Sequence, residues 1–269
     1  MNPENPAKAT PRNLTVDRAL RVLEAFLGKE SQLGVVELSR QLGLDKSVIH
    51  RILTTLAQRR FIEQDPVTRR YQIGLRVWEL GQRHKTGHQL RDLAERELAA
   101  ATRLHPYTTG YLSMLDATDV VVVATVRGPG PINLYIEPGT HIVAELPTTG
   151  QVLLAWQPAT RLAAVVNNSQ RIRPGESPAD LIAKLATIRA QGYGSNRDGP
   201  HTLGIGTVAA PIRDHDGQAM AAVTIDFLIN PQTRQLWDTV PGELVAAASR
   251  IEHVINAPHL DQPAQLPEV

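Results

Sequence analysis

The chain contains no cysteine, which excludes disulfides, thiolate metal ligands and a cysteine nucleophile together. It also lacks an apolar run of the ~18 residues that a membrane span requires; the valine-rich stretch 120–126 stops at Arg127. The opening MNPENPAKATPRN has no apolar stretch, so no secretory signal is expected. These absences point to a cytoplasmic protein without a membrane segment. What remains is ample for folding. Of 269 residues, 42% are hydrophobic and 20% charged, enough to bury cores in about two domains.

The net charge of +1 conceals an uneven distribution. Residues 1–85 carry fifteen Lys/Arg against nine Asp/Glu, and residues 86–269 carry thirteen against eighteen. A basic first part beside an acidic remainder suggests that one end meets a polyanion.

Hydrophobic periodicity organises the chain. A proline-containing tail over 1–13 precedes a helix starting near Thr15, with Leu20, Leu23, Phe26 and Leu27 on one face. A short helix spans 35–42, ended by Gly43, and a third runs from Lys46 to about Arg60, with Asp45 placed to cap it. Strands at 61–63 and 71–73 flank a turn at Asp65-Pro66. Residues 75–103 read as connecting helices. Strands follow at 109–115, 119–126, 132–136, 206–212 and 219–227, with helices at about 150–166, 178–191 and 232–256. The mixture predicts an α+β fold around a mainly antiparallel sheet, and the proline-bearing end 258–269 reads as loose.

Two helices joined by Gly43-Leu44-Asp45 and followed by a two-stranded wing match the helix-turn-helix plan, in which the second helix enters the major groove. With Val48, Ile49, Ile52, Leu53 and Leu56 inward, Lys46, Ser47, His50, Arg51 and Thr54 lie on or beside the exposed face. Arg and Lys donate to guanine or phosphate, and Ser and Thr serve either. Arg59, Arg60, Arg69 and Arg70 flank this helix as phosphate contacts, the last pair also within reach of the minor groove. The competing reading is a small helical domain with a solvated basic face.

The stretch SRQLGLDKSVIHRILTTLAQRRFIEQDPVTRRYQIGLRVWELG resembles the DNA-binding half of the IclR family of bacterial transcriptional regulators. LPTTGQVLLAW and IRAQGYGSNRDGPHTLGIGTVAAPIRDHDGQAMAAVTI resemble the family's second half, so the likeness covers residues 14–255. It implies a winged helix-turn-helix over 14–74, linker helices over 75–103 and a GAF-like effector domain over 104–257. It further implies homodimers or homotetramers on (pseudo)palindromic double-stranded operators, most members being repressors. Three positions depart from the family: Arg60 stands where glycine is usual, Ser39 where alanine is, and Asp45-Lys46 where Pro-Lys or Pro-Arg is common.

In the second half, Leu146-Pro147-Thr148-Thr149-Gly150 delivers free amides at a helix start, where negative charge is favoured. Thr148 or Thr149 serving only as a cap is the alternative. The resemblance implies an effector site here, with Leu134 and Ile142 as apolar wall and Thr148 and Thr149 as donors. It adds Arg197, Asp198, His201, Ile205 and Thr207 from the next loop and strand, and Thr224 and Asp226 from the last strand. His201 is read alternatively as a solvated loop histidine. Family pockets that hold carboxylates use hydroxyls where this chain has Asp226, whose buried charge would repel an anion. The effector expected is a small organic or aromatic acid or a phenol, with a neutral hydroxylated compound close behind.

An enzyme is the first rival reading. The chain has no Gly-x-Ser-x-Gly, and His84 and His88 lack a neighbouring Glu for a zinc site. Gly204-x-Gly206 is too short for a nucleotide loop. No cofactor, metal or catalytic residue is therefore expected. The second rival is a DNA-binding protein without a ligand, controlled by a partner; it would fill the 148–150 and 198–207 regions with bulk, whereas small Thr and Gly residues are frequent there.

Overall fold

In the computed structural model, the described residues are 13–28, 30–83, 85–130, 132–144, 147–166, 177–197 and 204–257. The chain divides into two compact units, residues 1–85 and 86–269.

The first unit builds on α1 (Leu14–Glu24), a 3-10 turn over Ala25–Leu27, α2 (Val35–Leu42) and α3 (Lys46–Gln58). Asn13 caps α1, its side-chain oxygen accepting from the amides of Thr15 and Val16. Gly43 ends α2 in the left-handed conformation, φ 66°. Asp45 occupies the N-cap of α3 but makes no side-chain capping bond, correcting the expectation drawn from its type. Ser39 instead fixes the turn, donating its hydroxyl to the Leu44 carbonyl at 2.6 Å, which gives this departure from the family's alanine a structural use. Val22, Phe26, Leu38, Ile49, Ile52, Leu53, Ile62 and Tyr71 form the core.

The wing pairs β1 (Ile62–Gln64) with β2 (Tyr71–Ile73), and Leu33 bridges to Tyr71 on the outer side. Asp65 sets the turn by accepting from the amides of Val67 and Thr68. Arg60 links α3 to the wing with φ 63°, so the turn that glycine usually makes survives with a side chain in it. A Cβ in this region costs ~1–2 kcal/mol, offset by the entropy glycine adds to the unfolded chain. Arg60→Gly is expected to hold stability or raise it by up to about 1 kcal/mol in urea unfolding, and Arg60→Val to lower it. α4 (Leu75–Gly81) follows and leaves Leu75, Trp78 and Leu80 exposed.

The second unit holds α5 (Lys85–Leu104), β3 (Thr108–Asp116), β4 (Asp119–Arg127), β5 (His141–Val143), α6 (Thr148–Ala155), α7 (Ala159–Val166), α8 (Pro178–Gln191), β6 (Gly194–Ser195), β7 (Ile205–Arg213), β8 (Ala219–Leu228) and α9 (Leu236–Ile255). Its sheet runs β5-β4-β3-β8-β7-β6, every pair antiparallel. Alternation divides the strands between two cores. Leu112, Val208, Ile212, Val223, Ile225 and Phe227 pack with α5 and α9, while Val120, Ala209 and Ala222 pack with α6 and α8. Leu90, Ala94 and Leu98 of α5 are fully buried in the first of these cores, so the helix expected to be a connector is a structural member of this unit.

Three expectations change here. The strand read at 132–136 does not form; that segment is held by side chains, Tyr111 donating to the Leu134 carbonyl at 3.0 Å and Thr125 to that of Ile136 at 2.6 Å. The helix read over 150–166 is two helices, because Pro158 supplies no amide to continue the first. The short strands β5 and β6 carried no alternation long enough to read. No helix among the described residues is long and apolar enough to cross a membrane.

Candidate functional site

The burial of Ile49, Ile52 and Leu53 turns the opposite side of α3 outward. Lys46, Ser47, His50, Arg51 and Thr54 are all exposed there. Sequence reading missed Thr55 and Gln58, also exposed on α3; the 3.6-residue period places Gln58 beside Ser47, Arg51 and Thr54, so the helix wheel carried the signal. Arg51 lies on the α1 side, at a cleft of about 210 Å³ shared with Arg18. Thr54 and Thr55 donate to the carbonyls of His50 and Arg51, which holds both hydroxyls close to the helix.

The flanking arginines separate into two kinds. Arg59, Arg60 and Arg69 are exposed, Arg69 at the wing turn with φ 59°. Arg70 is occupied internally, which corrects its reading as a free phosphate contact. Its guanidinium forms a two-point pair with Glu37 at 2.8 and 3.0 Å and donates to the Gln32 carbonyl at 2.8 Å. Glu37 also accepts from the Gly34 amide at 2.8 Å. That backbone bond and then Arg70 hold its carboxyl below the usual carboxylate range. The pair ties wing to α2. Arg69→Ala is therefore expected to reduce the salt slope of DNA binding by about 0.9. Arg70→Ala should leave the slope unchanged and lower the melting temperature.

In the second unit, a cavity of about 70 Å³ lies between the sheet and the start of α6. Ile142, Thr149, Thr207, Thr224 and Asp226 line it, joined by Tyr111, Ser113, Val120, Val122, Ile136 and Pro147. The last six were missed, although Thr109-x-Tyr111-x-Ser113 in β3 and Thr224-x-Asp226 in β8 put polar residues at period two inside apolar strands. Leu134, Thr148 and Ile205 do not line the cavity. Leu134 contributes its carbonyl to Tyr111, the Thr148 methyl packs near Gly194, and the Ile205 carbonyl accepts from Asn196. Arg197 is paired with Asp238 of α9 at 2.7 Å. Asp198 and His201 lie outside the described residues.

Pro147 is the N-cap of α6 and no side chain caps it. Thr149 bonds instead to Thr224 across the cavity, hydroxyl to hydroxyl at 2.9 Å, so the capping alternative does not describe it. By strand register Asp226 sits between Thr109 and Thr207. Burial pushes its carboxyl up to about 7, with the Thr207 hydroxyl pulling the other way. Its Oδ1 is buried with no hydrogen-bond partner. Burial, and then the Asp226 charge, raise the Tyr111 hydroxyl well above its ordinary value.

A helix-turn-helix with a wing defines the class, a DNA-binding regulator. The comparisons agree. Residues 15–66 match the IclR helix-turn-helix domain and residues 86–253 the bacterial transcriptional regulator IclR C-terminal domain. The chain belongs to the IclR family, whose members are helix-turn-helix transcriptional regulators and not enzymes. It is 28% identical over 218 residues to the regulator XynR of Escherichia coli, covering 80% of this chain and 86% of that one. It is 30% identical over 242 residues to the glycerol operon regulatory protein of Streptomyces coelicolor, covering 88% and 92%. Among solved structures, an IclR homolog from Microbacterium hydrocarbonoxydans complexed with 4-hydroxybenzoate superposes with a TM-score of 0.76 at 20% identity, over 91% of this chain and 100% of that one. An IclR regulator from Alicyclobacillus acidocaldarius gives 0.73 at 19%, over 90% and 98%.

Proposed function

We propose that this regulator is a cytoplasmic repressor that grips a (pseudo)palindromic operator as a dimer or tetramer, and that a small molecule held in the second unit changes that grip. The observation that carries the reading is the cavity: polar groups converge at an uncapped helix start, roofed by apolar side chains. At ~10–15 Å³ per water-sized sphere, its volume suits a ligand of roughly five to seven non-hydrogen atoms. A small organic acid or a phenol is within that size. The solved neighbour with 4-hydroxybenzoate supports a small-molecule role for this fold.

On the DNA side, Ser47, Arg51, Thr54 and Gln58 form the reading face, with Lys46 and His50 at its edge. Arg59, Arg60 and Arg69 supply phosphate contacts. Leu14, Val16 and Leu20 of α1, exposed with Leu75, Trp78 and Leu80 of α4, offer apolar surface for a second copy. The effector acts only through its differential affinity for two states of the regulator, typically ~1–3 kcal/mol.

A thermal-shift screen of small acids, phenols and polyols tests the reading. A binder raises the melting point by mass action, and it is expected also to change affinity for the DNA upstream of the protein's own gene. A binder that leaves DNA affinity untouched, or a broad library without any binder, would favour control by a protein partner instead.

A further inference from the structure

We infer that the cavity of the second unit is built to hold an uncharged hydroxyl-bearing molecule and to reject a carboxylate. This rests on reading the cavity as the effector site. Three observations lead there.

Asp226 lines the cavity, and its Oδ1 is buried with no partner. Such an atom leaves an acceptor waiting for a donor, since buried polar groups are otherwise paired. The side chains described around the cavity include no Lys, Arg or His. Among these described side chains, an incoming carboxylate would meet Asp226 with no cation between them, and two carboxylates in contact do not both ionise. Donors are also present. In the Thr149–Thr224 pair one hydroxyl donates to the other, so the accepting one keeps its own hydrogen for a third group. The first amides of α6 have no side-chain cap.

A site with one orphan acceptor and several donors calls for a group that does both. A neutral hydroxyl gives its hydrogen to Asp226 and takes one from the Thr149–Thr224 pair. An ionised carboxylate only accepts, so it cannot answer an ionised Asp226. Burial, which also keeps water from Oδ1, raises the Asp226 pKa, with the Thr207 hydroxyl opposing it. Val122, Ile136 and Ile142 cover the rest of the ligand, so its remainder is apolar and small.

The test is titration calorimetry on the full-length chain with probes matched in size: isobutanol against isobutyrate, and propane-1,2-diol against lactate and 1-aminopropan-2-ol. At pH 8 each neutral member is expected to bind at least tenfold more tightly than its carboxylate. Asp226→Asn keeps the shape and removes the charge, so it should narrow that gap while changing alcohol binding by less than about threefold. Asp226→Thr, which replaces the carboxyl with a hydroxyl, should erase or invert the preference. Equal or tighter binding of isobutyrate or lactate by the native chain would overturn the inference and leave the effector reading standing. Tighter binding of the amine would overturn it in favour of a cation. If none of the five probes binds the native chain or either variant, this inference falls, while the effector reading stands or falls with the broad screen.

Discussion

Replacing Gly150 with alanine is expected to destabilise the second unit by about 3 kcal/mol, the top of the usual range for overpacking. A Cβ at Gly150 would lie 2.0 Å from the Ala144 carbonyl oxygen and 2.6 Å from its carbon. These are backbone atoms at the end of β5, so no side chain can swing away. The first turn of α6 must lift, and α6 carries Val152, Leu153 and Leu154, all fully buried. It also carries Thr149, whose bond to Thr224 closes the cavity floor. The same substitution at Gly242 should act oppositely. That glycine is exposed within α9, with nothing within 4 Å of an added Cβ, and alanine gains ~0.5–1 kcal/mol in a helix. Urea unfolding of both variants checks the contrast; loss of ligand binding in Gly150→Ala should accompany its loss of stability.

The second large effect depends on pH. Asp226 has a folded-state pKa of about 7 against an ordinary 3.8. The folded chain therefore binds a proton more tightly than the unfolded chain, and between about pH 4 and pH 7 stability falls as pH rises. Below that window there is no penalty from this group; above it the cost of burying the charge is complete. Asp226→Asn removes the titration. Its stability advantage over the native chain should grow from pH 5 to pH 8 by up to about 3 kcal/mol, at 1.36 kcal/mol per pKa unit. Other titrating groups cancel in the difference. An advantage that stays constant across that range would show that Asp226 is solvated in the folded protein.

The first unit was largely legible in the sequence because its signals are local. Gly43, the amphipathic period of α3 and the Asp65 turn each act within a few residues, and α2 spans 35–42 as read. Where local type misled, a specific bond replaced it: Ser39 rather than Asp45 secures the turn, and Arg70 is drawn inward by Glu37, thirty-three residues away. No local pattern announces such a partner. The second unit behaved likewise. The α+β class and the long strands followed from alternation, whereas the false strand at 132–136 is apolar chain held by Tyr111 and Thr125. The cavity was half visible: Ile142, Thr149, Thr207, Thr224 and Asp226 were found, but the lining contributed by β3 and β4 depends on the pairing of β3 with β4 and with β8. The residue whose chemistry matters most, Asp226, stood out early as a carboxylate in an apolar strand. Its orphaned oxygen belongs to the folded structure alone.

The most direct test of the account is the affinity of the full-length chain for DNA upstream of its own gene, measured against a shuffled duplex at fixed salt. The native chain is expected to prefer the upstream sequence by at least a thousandfold. Arg51→Ala should lose roughly ten- to a hundredfold on that sequence and little on the shuffled one. Equal binding of both duplexes by the native chain, or full affinity in the Arg51 variant, would contradict the assignment of α3 as the reading helix with Arg51 at its face.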